Sequence, residues 1–220
     1  MELVRRAALI YQTEGLLILA KRVTAFAAGQ LFRYQSYYLY ENNGSAERMR
    51  RDVDFVPMVD GVTFAVIRTN EEADALEAQG FQFRKYVVDT ESKLDKGAIA
   101  FCIFVGHELG NIGWLCTTEQ ARGLLNEPPA RVGFSKGEVW HGGAWTNPEY
   151  RRMGLYRYIW LKEGEYYLQK KIPKGRWAIA KRNVNALSAQ SKAGNLRYGE
   201  GRLIKVLWWK SWKEKRLTKT

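Results

Sequence analysis

The strongest constraint on the fold is the junction at Asn147-Pro148, where a strand-like run gives way to a basic amphipathic segment. Glu138 to Thr146 supplies strand-forming Val139, Trp140 and Trp145, whereas Pro148 has no N–H to give to a ladder. From Arg152 onward, Leu155, Tyr158, Ile159 and Leu161 fall at helix-compatible spacing. The sequence therefore predicts a strand over 138–146 and a helix over 152–171. Arg151, Arg152 and Gly154 stand where that helix starts, and there the first N–H groups lack internal acceptors while the macrodipole is positive. Such a start is an anion site with pyrophosphate as its expected guest, although Pro, charges and Gly also open many helices that bind nothing.

Around this junction the other elements follow in mixed order. Met1 to about Gln30 is Ala-, Leu- and Arg-rich and reads as helix, with Gly15 standing where it would kink or divide. Leu31–Tyr40 reads as an aromatic strand, and Glu41–Asp54 as a polar connector. A strand over 61–68 leads through Thr69, with Glu71 and Glu72 behind it, into a helix that stops at Gly80. Ala98–Val105 and Leu109–Thr117 form a hairpin about Gly106-His107-Glu108, and Thr118–Leu125 a short helix ended by Pro128-Pro129. Further strands are expected at 176–181 and 202–209, with a helix at 184–193. The order implies an α/β fold on a mixed sheet. Its organisation reads as an N-terminal helical extension, 1–35, followed by one domain, 36–220.

Composition narrows the chemistry. With 220 residues and 46% hydrophobic content, the chain can bury a substantial core. Two cysteines, Cys102 and Cys116, both in apolar runs, offer no disulfide framework and read as buried thiols. Two histidines, His107 and His141, and no close carboxylate cluster predict no metal site. Arg5-Arg6 precedes an apolar stretch in the manner of a signal peptide, but Gln12, Thr13, Glu14 and Gly15 interrupt it. No spanning helix is expected, and a cytoplasmic protein is the simplest reading.

The net charge of +12 is concentrated: residues 151–220 hold 19 Lys/Arg against 4 Asp/Glu, a local +15. That field would attract a phosphate-bearing ligand, but equally nucleic acid, an anionic membrane surface or an acidic protein. Lys210–Lys219 also reads as a solvated basic tail. For the N-terminal helix, packing on the domain or a homodimer contact is favoured over a membrane-surface role.

The string Asn147-Pro148-Glu149-Tyr150-Arg151-Arg152-Met153-Gly154-Leu155 resembles the Arg/Gln-x-x-Gly-x-Gly/Ala signature of the GNAT superfamily of acyl-CoA N-acyltransferases, with Tyr156 in the last small position. A second segment, Asn183 to Asn195, is similar to the family's strand-Asn-helix-Lys-x-Gly-Phe segment, with Asn195 in place of Phe. The resemblance covers about residues 98 to 210 and implies a mostly antiparallel sheet flanked by helices, its central strands splayed to admit the pantetheine arm. The cofactor it implies is acetyl-CoA or another acyl-CoA, serving as co-substrate.

In that reading the backbone of Arg152, Met153, Gly154, Leu155 and Tyr156 holds the pyrophosphate, with Arg151 and Arg152 adding charge. Edge groups at Ala144, Trp145 and Thr146 pair with the pantetheine arm, Trp145 bounds the acyl pocket, and Asn183 contacts the arm or caps its helix. The resemblance makes Glu138 the first candidate base, thirteen residues before Arg151. His141 is the second candidate, although strict alternation points it to the opposite face unless a bulge intervenes. The family's thiolate-protonating Tyr falls on Gln190, and Tyr198 is the candidate substitute. Most tryptophans read as packing rather than as a platform for bases. The function implied is acyl transfer to an amine, on a small molecule or a protein, by direct attack in a ternary complex. The alternative is a GNAT-like CoA-binding protein with weak or no catalysis, whose basic C-terminal region engages nucleic acid or an anionic surface. Residues 41–60 and 118–137 are expected to shape the acceptor entrance.

Overall fold

A computed structural model describes residues 2–42, 56–193 and 195–217, so most of the expected connector and Gly194 lie outside the described residues. The chain forms two compact units, Asn42–Glu127 with Val132–Trp177, and Met1–Glu41 with Pro128–Arg131 and Ala178–Thr220.

The larger unit holds β2 (Val62–Ile67), α3 (Asn70–Ala78), α4 (Thr90–Asp95), β3 (Ala98–Val105), β4 (Glu108–Cys116), α5 (Glu119–Leu124), β5 (Val139–Thr146), α6 (Leu155–Lys170) and the start of β6 (Gly175–Ala180). Its strand order is β2-β3-β4-β5-β6, antiparallel throughout except for the parallel β5–β6 pair. Thr69 caps α3 as expected, its hydroxyl accepting the Glu72 N–H at 3.2 Å. The short α4 was not anticipated, because six residues carry too little periodicity to register. β3 and β4 are buried on both faces, which is why they read as unbroken apolar runs rather than as alternation.

Helix α6 lays Leu155, Ile159, Tyr166 and Tyr167 against Phe101, Ile103, Leu115 and Val139. Two glycines of β4 permit the close approach. A Cβ on Gly110 would stand 2.9 Å from Leu155 Cδ1, and one on Gly113 would stand 3.0 Å from Glu163 Oε1. The helix begins at Leu155 rather than at 152, because Arg152 and Gly154 have left-handed φ of 68° and 80° and cannot continue a right-handed turn.

The smaller unit holds α1 (Glu2–Glu14), α2 (Leu16–Leu31), β1 (Phe32–Asn42), the end of β6, α7 (Val184–Ala193), β7 (Leu196–Val206) and β8 (Trp209–Arg216), in strand order β6-β1-β7-β8. Gly15, at φ 85°, divides the N-terminal helix. β1–β7 and β7–β8 are antiparallel, so the fold is a mixed but mostly antiparallel α/β arrangement flanked by helices, as expected. Two expectations are corrected here. The last strand starts at 196 rather than 202, and the basic tail is the edge strand β8 from Trp209. Lysines on an edge strand resist pairing with other chains, and that charge disguises the strand in the sequence. Trp212 anchors it inward with its ring 5.8 Å from Tyr37.

Candidate active site

β5 and β6 pair only at Val139–Gly175 and Trp140–Arg176, so from His141 onward β5 is paired through β4 alone among the described registers. Along that stretch the β4–β5 register slips: Gly142 lies opposite Trp114 and Trp145 opposite Ile112, so β5 carries one extra residue. Gly143 turns at φ 58°, as a bulge of this kind favours. The bulge therefore follows His141 rather than preceding it.

Groups around the bulge are held on both sides. The Gly143 N–H donates to Glu127 Oε1 at 3.1 Å, and Glu127 occupies the space a Gly142 Cβ would take, at 2.6 Å. Asn111, fully buried, donates through Nδ2 to the Trp145 carbonyl at 3.1 Å and to Thr146 Oγ1 at 2.6 Å. Part of the edge expected to receive the pantetheine arm is thus engaged by Asn111, while Ala144 is exposed. Trp145 stacks on Tyr86 with centroids 5.5 Å apart, and Tyr86 and Tyr150 both bond the Glu108 carboxylate. Burial, then that hydrogen bond, pushes the Tyr150 phenol up to about 12.

The strand then runs through Asn147, whose side chain accepts the Glu149 N–H, and a single 3-10 turn at Pro148–Tyr150 into the loop before α6. Arg151 and Arg152 are exposed. Gly154 has a second neighbour besides any ligand: Met58 N–H donates to the Met153 carbonyl at 2.9 Å, and a Gly154 Cβ would meet the Val56 carbonyl oxygen at 3.4 Å. At least part of the room left by the missing side chain is therefore used by the chain itself. Tyr156 lies with its ring 5.4 Å from Trp160, one turn on.

His141 faces α6. Its Nδ1 stands 3.1 Å from Glu163 Oε2, and its Nε2 bonds the Tyr167 hydroxyl. Trp177 meets the imidazole edge-on, with centroids 5.8 Å apart. Glu163 and Tyr167 are buried, and the His141 side chain keeps 17% of its surface exposed. A carboxylate at Nδ1 fixes the ring orientation and tautomer, leaving Nε2 to accept a hydrogen bond, here from the phenol. A Cβ on Gly175 would collide with the Tyr167 ring, so that glycine makes room for one end of the row as Gly113 does for the other.

Glu138 lies just before β5. Its carboxylate accepts the Gly133 N–H at 2.8 Å through Oε2 and stands 3.4 Å from Arg176 Nη2 through Oε1. Asn183 and Tyr198 belong to the smaller unit. Asn183 caps α7, its Oδ1 accepting the Ala186 N–H at 3.2 Å, and Tyr198 is the extra residue of a bulge in β7 opposite Leu39 and Tyr40. Asn195 and Gln190 meet each other, for Asn195 Nδ2 donates to Gln190 Oε1 at 3.0 Å.

Glu163, Tyr167 and Glu127 were not singled out from the sequence. A signal for Glu163 was present: it falls eight residues after Leu155, within the stripe Leu155, Ile159, Tyr166 and Tyr167. A carboxylate on an apolar stripe requires a buried partner. Glu127, in a loop, left no such periodic trace.

No family model and no curated protein matches the sequence. Solved structures do align with it. A functionally unknown conserved protein from Staphylococcus epidermidis ATCC 12228 aligns at 12% identity over 83% of this chain and 64% of that one, with a TM-score of 0.46. A tandem GNAT protein from the clavulanic acid biosynthesis pathway aligns at 17% identity over 82% and 56%, with a TM-score of 0.48. A GCN5-related N-acetyltransferase-like protein from Streptococcus suis 89/1591 aligns at 12% over 89% and 67%, with a TM-score of 0.47. The chain spans about half to two thirds of the length of these solved chains, and at such identities the likeness is one of backbone shape.

Proposed function

We propose that this chain is a GNAT-type N-acyltransferase that moves an acyl group, with acetyl the first candidate, from acyl-CoA to an amine. The observation that carries the reading is the continuous path from the bulged end of β5, through the Asn147-Pro148 turn and the Arg151–Gly154 loop, to the start of α6. First-turn N–H groups of a sixteen-residue helix, beside two exposed arginines, suit a pyrophosphate. Acyl-CoA supplies the thioester when bound.

The chain's own residues then have three tasks. Arg151, Arg152 and the amides up to Tyr156 grip the phosphates, and Ala144 with the free part of the β5 edge aligns the arm. His141 takes up the proton that the amine must shed, with Glu163 positioning the imidazole and Tyr167 as its resting partner on Nε2. As the C–N bond forms and the C–S bond breaks, a proton must also reach sulfur, and the same imidazole returns it. Glu138, tied to Gly133 and Arg176, serves in this reading as an anchor for the start of β5. Asn183 and Tyr198 keep structural roles. A cytoplasmic setting, where acyl-CoA is available, belongs to the same proposal.

Release of free thiol from acetyl-CoA in the presence of a panel of amines tests it. Amine-dependent release that His141→Gln abolishes is expected. Release that is independent of both the amine and His141 would overturn the assignment.

A further inference from the structure

One end of the smaller unit gathers apolar side chains in water. Leu31, Phe32, Val206, Leu207, Trp208 and Trp209 are 63%, 57%, 42%, 44%, 87% and 54% exposed. They are contiguous: Phe32 lies opposite Val206, Val206 opposite Trp209, and the Leu207 N–H donates to the Leu31 carbonyl at 2.8 Å. Single exposed apolar residues are ordinary, but a contiguous group of this size marks a surface that meets something.

The turn itself breaks a local rule. Pairing of Val206 with Trp209 leaves Leu207-Trp208 as a two-residue hairpin loop, with Leu207 at φ 53°. With only the first of its two residues at positive φ, such a loop favours Gly at that position, and a bulky Leu there is strained. Its neighbour Trp208 is the most exposed large apolar side chain described. Local chemistry that works against the fold points outward, to what the tip touches.

The surroundings are cationic. Lys205 lies opposite Lys210 one residue behind the Val206–Trp209 pair, and Arg202 lies opposite Lys213 about 13 Å behind it at 3.3 Å per residue. Residues 178–217 carry ten Lys/Arg against two Asp/Glu. A second copy of this end would bring like charges together. Bases would use the indoles but not Leu31, Val206 and Leu207. Aliphatic and indole side chains at a hairpin tip, with lysines and arginine set back from it, match the hydrocarbon–headgroup boundary of an anionic bilayer.

We infer that the β7–β8 hairpin tip docks the protein on an anionic membrane surface, with Leu207 and Trp208 entering the boundary and Lys205, Lys210, Arg202 and Lys213 meeting lipid phosphates. The inference is independent of acyl transfer. It places the membrane contact on the hairpin rather than on the N-terminal helix.

Co-sedimentation of the full chain with phosphatidylcholine vesicles, with and without phosphatidylglycerol, tests it. Binding to the anionic vesicles is expected to strengthen as salt falls. Leu207→Gly with Trp208→Asn installs the residues that the turn prefers, so the melting temperature should hold or rise while vesicle partitioning falls about tenfold or more. Lys210→Glu with Lys213→Glu should weaken binding to anionic vesicles and leave the tip intact. Equal partitioning of the Gly-Asn variant, or no binding to anionic vesicles at low salt, would overturn the inference. So would a tip substitution that alters only oligomeric mass by light scattering, or only retention on RNA.

Discussion

His141 and Glu163 are joined across the packing of β5 and α6, with imidazole Nδ1 standing 3.1 Å from carboxylate Oε2. The carboxylate is buried on an otherwise apolar helix face, and the histidine is the residue that gives it a reason to be there.

His141→Gln is expected to lower kcat by about 10²–10⁴-fold, the usual contribution of a general base, while leaving acetyl-CoA affinity unchanged. Glu163→Gln preserves shape and should lower kcat less, because it loosens the ring rather than removing it. Steady-state rates and calorimetric affinity measured on the same preparations separate the two effects. A purely structural trio would instead show reduced melting temperature with kcat intact.

Gly175→Ala should destabilise the fold by about 1–3 kcal/mol, since the new Cβ has to displace the buried Tyr167 ring. Urea denaturation measures this. A wild-type midpoint would mean that the ring moves freely and that the His141–Tyr167 bond is incidental.

Much of the architecture was legible in the sequence, and the exceptions have physical causes. The β3–β4 hairpin, the Thr69 cap and the division at Gly15 were visible because apolar runs, caps and glycines act locally. β8 was obscured because an edge strand rich in lysine looks like a solvated tail. The start of α6 moved to Leu155 because the left-handed φ of Arg152 depends on the turn it completes. Within the candidate site, the loop and His141 were singled out from the sequence, whereas Glu163 and Tyr167 join His141 only through the crossing of a helix over a strand. Spacing along one chain does not encode that crossing.

Alkaline pH should destabilise the larger unit through Tyr150. Its phenol is raised from an ordinary 10.0 to about 12 by burial and by Glu108, so the folded state holds this proton more tightly than the unfolded chain does. The contribution is complete below pH 10 and is lost as pH rises toward 12. Melting temperatures across that window should fall less steeply in Tyr150→Phe than in the wild type, and parallel curves would count against the Tyr150–Glu108 assignment.

Gly154→Val should be poorly tolerated at φ 80°, costing on the order of 1–2 kcal/mol, and it should also displace the Val56–Met58 segment. Thermal denaturation with and without acetyl-CoA tests both parts. The wild type should gain stability from the ligand, and the variant should not.

The most direct test of the acyl-CoA reading is isothermal titration of the full chain with acetyl-CoA. Saturable binding at one site per chain, lost in Gly154→Val and retained in His141→Gln, is the predicted result. Absence of heat together with an unchanged melting temperature, or full affinity in Gly154→Val, would contradict the assignment of the α6 start as the phosphate grip.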